Sequence, residues 1–378
     1  MQYKSILSLA LASVASAQNA SLTDAIGSQG TLSSLAAILG SNSAIMNALN
    51  NMQNVTILAP SNDALNSLNS DNIGMLTNSA YLQALLSYHV LNGTYYNTTF
   101  TNESMFIPTA LTNKTYANVT GGQVVEAQLY NNNVTFFSAL KENATIVTPN
   151  VNFTGGTIHV VNSLLAIPMN VSMTLTDANL TAAEGAISQT NMTKSVTEMR
   201  DITIFAPNND AFNAIGSVVG NLTSDELSNI VGYHVVNGSV NYSTTLQNTT
   251  MMTANGMNLT ITVINGTVYA NSAKVTVPDI LLANGVVHVI DQVLNPDNMS
   301  ATPNVTATTA TAAFSGASTD STGVPFTSGV STPTTTYPAA TSAGGAESSS
   351  SSGLAMPMKT GAVGVAALFG GAAVLANF

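Results

Sequence analysis

Four histidines, His89, His159, His234 and His288, are the side chains here whose lone pairs and titration range suit metal ligation or proton transfer near neutral pH. Two imidazoles brought together would begin a metal centre or an acid–base site. An open catalytic zinc site needs about three protein ligands, and no His-Glu-x-x-His run offers them. The sequence has no cysteine, which removes thiolate metal sites, disulfide frameworks and Cys nucleophiles. It also lacks a Gly-x-Ser-x-Gly elbow, a Walker-type phosphate loop and a Gly-x-Gly-x-x-Gly fingerprint, so no cofactor is implied. The carboxylates Asp24, Asp63, Glu103, Glu126, Glu142, Asp177, Asp210, Asp225, Glu226, Asp279 and Asp291 are scattered. Two of them held within about 10 Å would permit glycoside hydrolysis, so a carbohydrate-active enzyme remains one alternative. The plainer reading gives each histidine a partly buried slot and a bond to a neighbouring polar group, with Asp63 and Asp210 as nearby partners. On that reading no residue is catalytic, metal-ligating or cofactor-binding.

The elements that position these histidines occur twice, in the same order. TILAPSNDAL (Thr56 to Leu65) returns as TIFAPNNDAF (Thr203 to Phe212), and YHVLNGT (Tyr88 to Thr94) as YHVVNGS (Tyr233 to Ser239). GTIHVVNSLL (Gly156 to Leu165) returns as GVVHVIDQVL (Gly285 to Leu294). Three paired motifs in one order predict two homologous domains, 18–168 and 169–298, each long enough for its own core. Within each, a β-rich run is ended by Pro60 or Pro207, which cannot continue a central ladder. Polar residues then cap a helix expected near Ala64, with Asp63 and Asp210 at its positive start. Tyr81, Leu82, Leu85 and Leu86 have the spacing of a half-buried helix leading into Tyr88, where Tyr88-His89-Val90-Leu91 is expected to enter a strand and Asn92-Gly93 to turn. Val160, Val161, Leu164 and Leu165, with Val287, Val289, Ile290 and Leu294, are expected in closing strands. Further short strands are expected over 118–125, 134–137, 259–263 and 267–270. The class is α+β.

The strand-Ala-Pro-x-Asn-Asp-Ala element, the Tyr-His pairs Tyr88-His89 and Tyr233-His234, and the Gly-x-[Ile/Val]-His-Val element around His159 and His288 resemble the fasciclin domain. The resemblance covers nearly all of the chain expected to fold. It implies two tandem β-sandwiches or wedges flanked by α-helices, in an extracellular adhesion protein.

Composition agrees with an extracellular reading. Seven Lys+Arg against eighteen Asp+Glu leave a net charge of −11, and so few basic residues exclude a nucleic-acid partner. Charged residues make up only 7% of a chain with mean hydropathy +0.26, a balance that needs another source of hydration. Between Asn19 and Asn304, 21 of 42 asparagines begin an Asn-x-Ser/Thr sequon, where chance would give about nine. They include Asn54, Asn92, Asn97, Asn118, Asn133, Asn143, Asn152, Asn221, Asn237, Asn248, Asn258 and Asn265. Attached sugars would supply the missing hydration. Tyr and Phe read as core, and the absence of Trp weakens a lectin reading.

The ends complete the expectation. Residues 1–17 read as a signal peptide: Lys4, an apolar run from Ile6 to Val14, then Ala15-Ser16-Ala17. Residues 299–353 are Ser/Thr-rich with interspersed Pro, the composition of a disordered O-glycosylated stalk that cannot bury enough apolar surface to fold. Residues 354–378, apolar from Gly361 onward behind Lys359, resemble a glycosylphosphatidylinositol signal, with Ser350 or Ser351 as attachment residue. A single membrane span is the alternative for this tail. The sum is a secreted glycoprotein at the outer face of the plasma membrane or in the cell wall, tethered through a lipid. It is expected to act without catalysis on surface, matrix or wall components, through adhesion or organisation of the wall. A purely structural wall glycoprotein with no specific ligand is the other alternative.

Overall fold

The computed structural model describes residues 20–68, 77–305, 313–319 and 323–332. The expected signal peptide, the anchor tail, and Ser350 or Ser351 lie outside these residues. The chain divides into two compact units between Ile167 and Pro168.

The first unit begins with helices α1 (Leu22–Gly27), α2 (Ser33–Gly40) and α3 (Ser43–Asn50). Strand β1 (Val55–Pro60) follows, then α4 (Asn62–Asn66) and α5 (Ser79–Tyr88). Strands β2 (Val90–Asn92), β3 (Met105–Pro108), β4 (Val124–Tyr130), β5 (Asn133–Phe137), β6 (Asn143–Phe153) and β7 (Gly156–Val161) complete it. All seven strands share one sheet, ordered β2-β1-β7-β6-β5-β4-β3. At its centre β1 and β7 run parallel, with Leu58 opposite His159. The sheet curls until its edges nearly meet: Leu91 bridges Thr109, and the Ala110 N–H donates to the Val90 carbonyl at 2.8 Å. The expected wedge is therefore one sheet folded over its own core. Tyr88, Leu91, Phe100, Phe136 and Val161 fill the inside. Ile57, Ala59, Ile158 and Val160 pack outside, beneath Leu22, Ile26, Leu35 and Leu39 of the helices. Because β1 and β7 are buried on both faces, their sequences are near-continuous apolar runs.

The second unit repeats this plan. Helices α6 (Val171–Asp177), α7 (Thr181–Gln189) and α8 (Thr193–Glu198) precede β8 (Ile202–Pro207), α9 (Asn209–Ala214), α10 (Gly216–Val219) and α11 (Ser224–Tyr233). Strands β9 (Val235–Val236), β10 (Thr249–Met252), β11 (Asn258–Ile264), β12 (Thr267–Ala270), β13 (Ala273–Leu282) and β14 (Gly285–Ile290) follow. The sheet order is β10-β11-β12-β13-β14-β8-β9, with β8 and β14 parallel and Phe205 opposite His288. A bridge between Val236 and Thr253 brings the sheet edges together.

Several boundaries differ from the sequence expectation. The helix after β1 starts at Asn62 rather than Ala64, because the Ser61 hydroxyl accepts the Ala64 N–H at 3.1 Å. Asn208 caps α9 in the same way, at 2.8 Å to Ala211. Tyr88 and Tyr233 are the last residues of helices rather than the start of strands, and His89 and His234 are the C-caps. Leu164, Leu165 and Leu294 lie beyond strands that end at Val161 and Ile290. The expected strand over 118–125 exists only from Val124, since Gly121 and Gly122 turn the chain at φ +89° and +93°.

The Ser/Thr-rich segment also contributes structure. Residues 313–319 and 323–332 lie on the second unit: Phe314 is buried, and Phe326 meets Phe212 edge-on with ring centres 5.8 Å apart. The Ser/Thr count conceals these two aromatic rings, which give the segment something to bury.

Candidate functional site

Each unit holds two buried histidines, each a node of backbone hydrogen bonds: one at the end of the helix that precedes the short second strand, the other within the second of the two parallel central strands. In the first, the turn from α5 into β2 places His89 as a C-cap, where its Nδ1–H donates to the Leu85 carbonyl at 2.8 Å. Its Nε2 accepts the Leu165 N–H at 3.0 Å, tying the chain after β7 to the helix end. In the second unit His234 bonds the Ile230 carbonyl at 2.7 Å and the Leu294 N–H at 2.9 Å. Burial pushes both imidazoles down to about 4, against the raising effect of the carbonyl bond, so both are neutral at pH 7.

His159 takes the opposite tautomer. Its Nε2–H donates to the Tyr95 carbonyl at 2.8 Å, and its Nδ1 accepts the Asn150 N–H at 3.2 Å. His288 does the same with Asn241, at 2.8 Å, and Asp279, at 3.3 Å. Burial also holds the His159 imidazole below its ordinary range. A β-bulge in β6 and in β13 sets Asn150 and Asp279 at φ +58° and +63°, which aims each N–H at its histidine. Thr56, two residues before Leu58 in β1, gives its hydroxyl hydrogen to the Gly93 carbonyl and accepts the Tyr95 N–H, both at 2.8 Å. Thr203 serves Ser239 and Asn241 identically, at 2.9 Å each. The loop after the short second strand is thus clamped at both backbone groups of one residue, Tyr95 or Asn241.

Every histidine ring nitrogen is committed to a backbone group. His89 and His234 also line small apolar cavities, beside Leu85 and Leu164 in the first unit and Ile230 and Phe212 in the second. Among the described residues no group of three His, Asp or Glu side chains is arranged to hold a metal ion. The partners of the rings are backbone atoms and not Asp63 or Asp210, which are exposed in the first turns of α4 and α9. Pro60 and Pro207 end their strands as expected, and the Tyr88 and Tyr233 hydroxyls donate to the Val124 and Asn258 carbonyls at 2.9 and 2.8 Å. Sequence alone assigned no role to Thr56 and Thr203, and offered Asn62 and Asn209 only among the polar residues that cap the following helix. Asn62 accepts the Ser34 N–H at 2.9 Å and Asn209 the Ala182 N–H at 3.0 Å, tying α2 to α4 and α7 to α9. Their identity between repeats was the available signal.

The chemistry that does reach solvent is amide and hydroxyl. Asn54, Asn92, Asn133, Asn143, Asn152, Asn221, Asn237, Asn248, Asn258 and Asn265 are exposed, whereas Asn97 and Asn118 are half-buried. Asn97 is further held by Asn150, whose amide donates to its side-chain oxygen at 2.7 Å. Asn92 and Asn237 stand at the same turn in the two units, each before a glycine of positive φ. The Asn92 amide donates to the Thr109 carbonyl at 3.1 Å, and a glycosylated amide keeps one N–H for that bond.

With the same histidine bonds recurring in both units, a family assignment follows from comparison with known domains. The fasciclin domain model matches residues 30–168 and again 178–296. The chain belongs to the fasciclin family. This fasciclin chain is 34% identical over 322 residues to a fasciclin-like arabinogalactan protein of Arthroderma benhamiae, covering 84% of this chain and 76% of that one. It is 27% identical over 283 residues to the fasciclin-like arabinogalactan protein elcF of Phaeosphaeria nodorum, covering 74% and 89%. Among solved structures, a FAS1 domain pair from the insect cell adhesion molecule Fasciclin I is similar at 19% identity and TM-score 0.34, covering 70% of this chain and 97% of that one.

Proposed function

We propose that this fasciclin protein is a non-catalytic, glycosylated component of a cell surface or wall, which works by contact. The observation that carries this reading is the commitment of every histidine nitrogen to backbone in both units, set against a surface rich in exposed sequon asparagines. Groups suited to turnover are spent on holding loops, while groups suited to carrying sugars face outward. The names of the fungal relatives, fasciclin-like arabinogalactan proteins, support a surface or wall setting. A signal peptide and a lipid anchor at Ser350 or Ser351 fit the same setting, because tethering multiplies weak contacts by effective concentration. The partners are wall or matrix glycans and proteins.

The test is binding of the purified glycosylated protein to cell walls, before and after enzymatic removal of N-glycans. Saturable binding is expected. Non-saturable association would indicate a structural wall glycoprotein without a specific ligand. Turnover of a wall polysaccharide that vanishes in a folded His89→Ala or His234→Ala variant would overturn the proposal. Mass spectrometry of the mature C-terminal peptide decides the anchor separately.

A further inference from the structure

We propose that residues 313–319 and 323–332 are a strap for which the α7–α9 face of the second unit is the built docking surface. Three observations converge on it. A Cβ placed on Gly185 of α7 would lie 1.9 Å from the Phe326 carbonyl oxygen, so the strap backbone rests directly on a helix position that only glycine allows. Phe326 is held at φ +63°, a conformation unusual for a large side chain, with its ring against Phe212 of α9. Upstream, Ser217 and Ser318 exchange bonds: the Ser217 N–H donates to the Ser318 carbonyl at 3.1 Å, and the Ser318 N–H to the Ser217 hydroxyl at 2.9 Å. Asn295 adds its amide to the Ala313 carbonyl at 3.0 Å.

The first unit shows that this surface is specific. Asn62 bonds Ser34 as Asn209 bonds Ala182, which makes Ala37 of α2 the counterpart of Gly185. Ala37 is exposed, and its Cβ stands where the strap backbone would have to lie. The strap therefore fits one of the two repeats. In the tethered protein a docked strap removes its own residues from the length of chain that separates the second unit from the anchor. This consequence for reach rests on the surface-tether reading; the docking itself does not.

Hydrogen exchange on the full-length mature protein, read by mass spectrometry, tests the strap. Peptides covering 313–319 and 323–332 are expected to exchange at least tenfold more slowly than an unstructured chain of the same sequence. Gly185→Ala should abolish that protection while β8 and β14 keep theirs, even though alanine would otherwise favour the helix. Ala37→Gly should leave the strap peptides unchanged. Should Gly185→Ala disturb β8 and β14 as well, Phe326→Ala decides, because it removes only a strap side chain and must release the same peptides. Strap peptides that exchange at the unstructured rate in the unaltered protein, or that stay protected in Phe326→Ala, would overturn the proposal. Neither result bears on whether the protein binds walls.

Discussion

The two units solve the same mechanical problem with different side chains. Beneath β4 in the first, the Glu126 carboxylate is buried and paired with Lys141 at 2.6 Å, with the Ser104 hydroxyl on its other oxygen at 2.7 Å. In the second unit Thr260 stands at the matching position of β11, and the neutral Asn271 beside it accepts the Thr260 N–H at 3.0 Å and donates to the Tyr233 hydroxyl at 2.9 Å. At the bulge the exchange runs the other way, with a neutral Asn97–Asn150 pair in the first unit and Ser243 on the carboxylate of Asp279 in the second. What stays constant is the pair of histidines and the threonine that hold the backbone. Backbone geometry is preserved, then, while the polar groups around it are exchanged between the units.

If that is correct, the largest difference between units appears on removing Lys141. Lys141→Met leaves the Glu126 carboxylate buried without its cation, and a loss of about 4 kcal/mol is expected from the first unit. Denaturant unfolding and the exchange protection of β1 and β7 measure it. Adding Glu126→Gln should restore most of the loss, since the orphaned charge is then gone. In the second unit Asn271→Ala removes neutral bonds only and should cost about 2 kcal/mol. Equal costs would undo the comparison.

Truncating the shared histidines sharpens it next. His89→Ala strands the Leu165 N–H and opens a cavity in the first unit, and His234→Ala does the same to the Leu294 N–H in the second. A loss of about 3 kcal/mol is expected from each. Because the nodes match bond for bond, the two values should agree.

The same rings make both units acid-sensitive. Burial lowers His89 and His234 to about 4 in the fold, while the unfolded chain takes the proton near the ordinary value of about 6.5. The unfolded state therefore binds more protons between these values. Stability from these groups is complete above that upper value, falls as the pH drops through the window, and levels off below the folded value. Between pH 7 and pH 4.5 each ring should cost its unit about 2.5 kcal/mol. Unfolding midpoints across that range test this, and a His89→Ala, His234→Ala double variant should show a much flatter profile.

How much of this was legible beforehand follows from what repeats. Tyr88, His89, His159, Pro60 and their partners recur letter for letter, and their positions in the core and at strand ends could be read from that recurrence and from the apolar runs around them. The partners of the histidines are backbone atoms brought near by a bulge and a loop. No side-chain letter records a backbone carbonyl, so Asp63 and Asp210 were the natural but mistaken partners; the carboxylate that does approach a ring is that of Asp279 on the bulge, 4.0 Å from His288 Nδ1. Asn150 and Asp279 share a role without sharing an identity, which hid the bulge. The strap stayed hidden for a third reason: Phe314 and Phe326 are two rings in a long Ser/Thr-rich stretch, and composition averages them away.

The smallest contrast concerns how the two matching helices begin. Thr223 and Glu226 form a reciprocal capping box on α11, the Glu226 N–H reaching the Thr223 hydroxyl at 3.3 Å and the Thr223 N–H the Glu226 carboxylate at 2.8 Å. The bonds from Thr223 hold the Glu226 carboxyl below its ordinary range. On α5 Asn78 acts alone, accepting the Ala80 and Tyr81 N–H groups at 3.0 and 3.2 Å. Both helices end on a node histidine, whereas their starts are held by different caps. Thr223→Ala and Asn78→Ala should each cost about 1 kcal/mol, visible as faster exchange in the first turn. Glu226→Gln should weaken only the second unit, and its effect should vanish once the pH is low enough to protonate the carboxylate. A cost that persisted in acid would mean that the cap works through packing instead of charge.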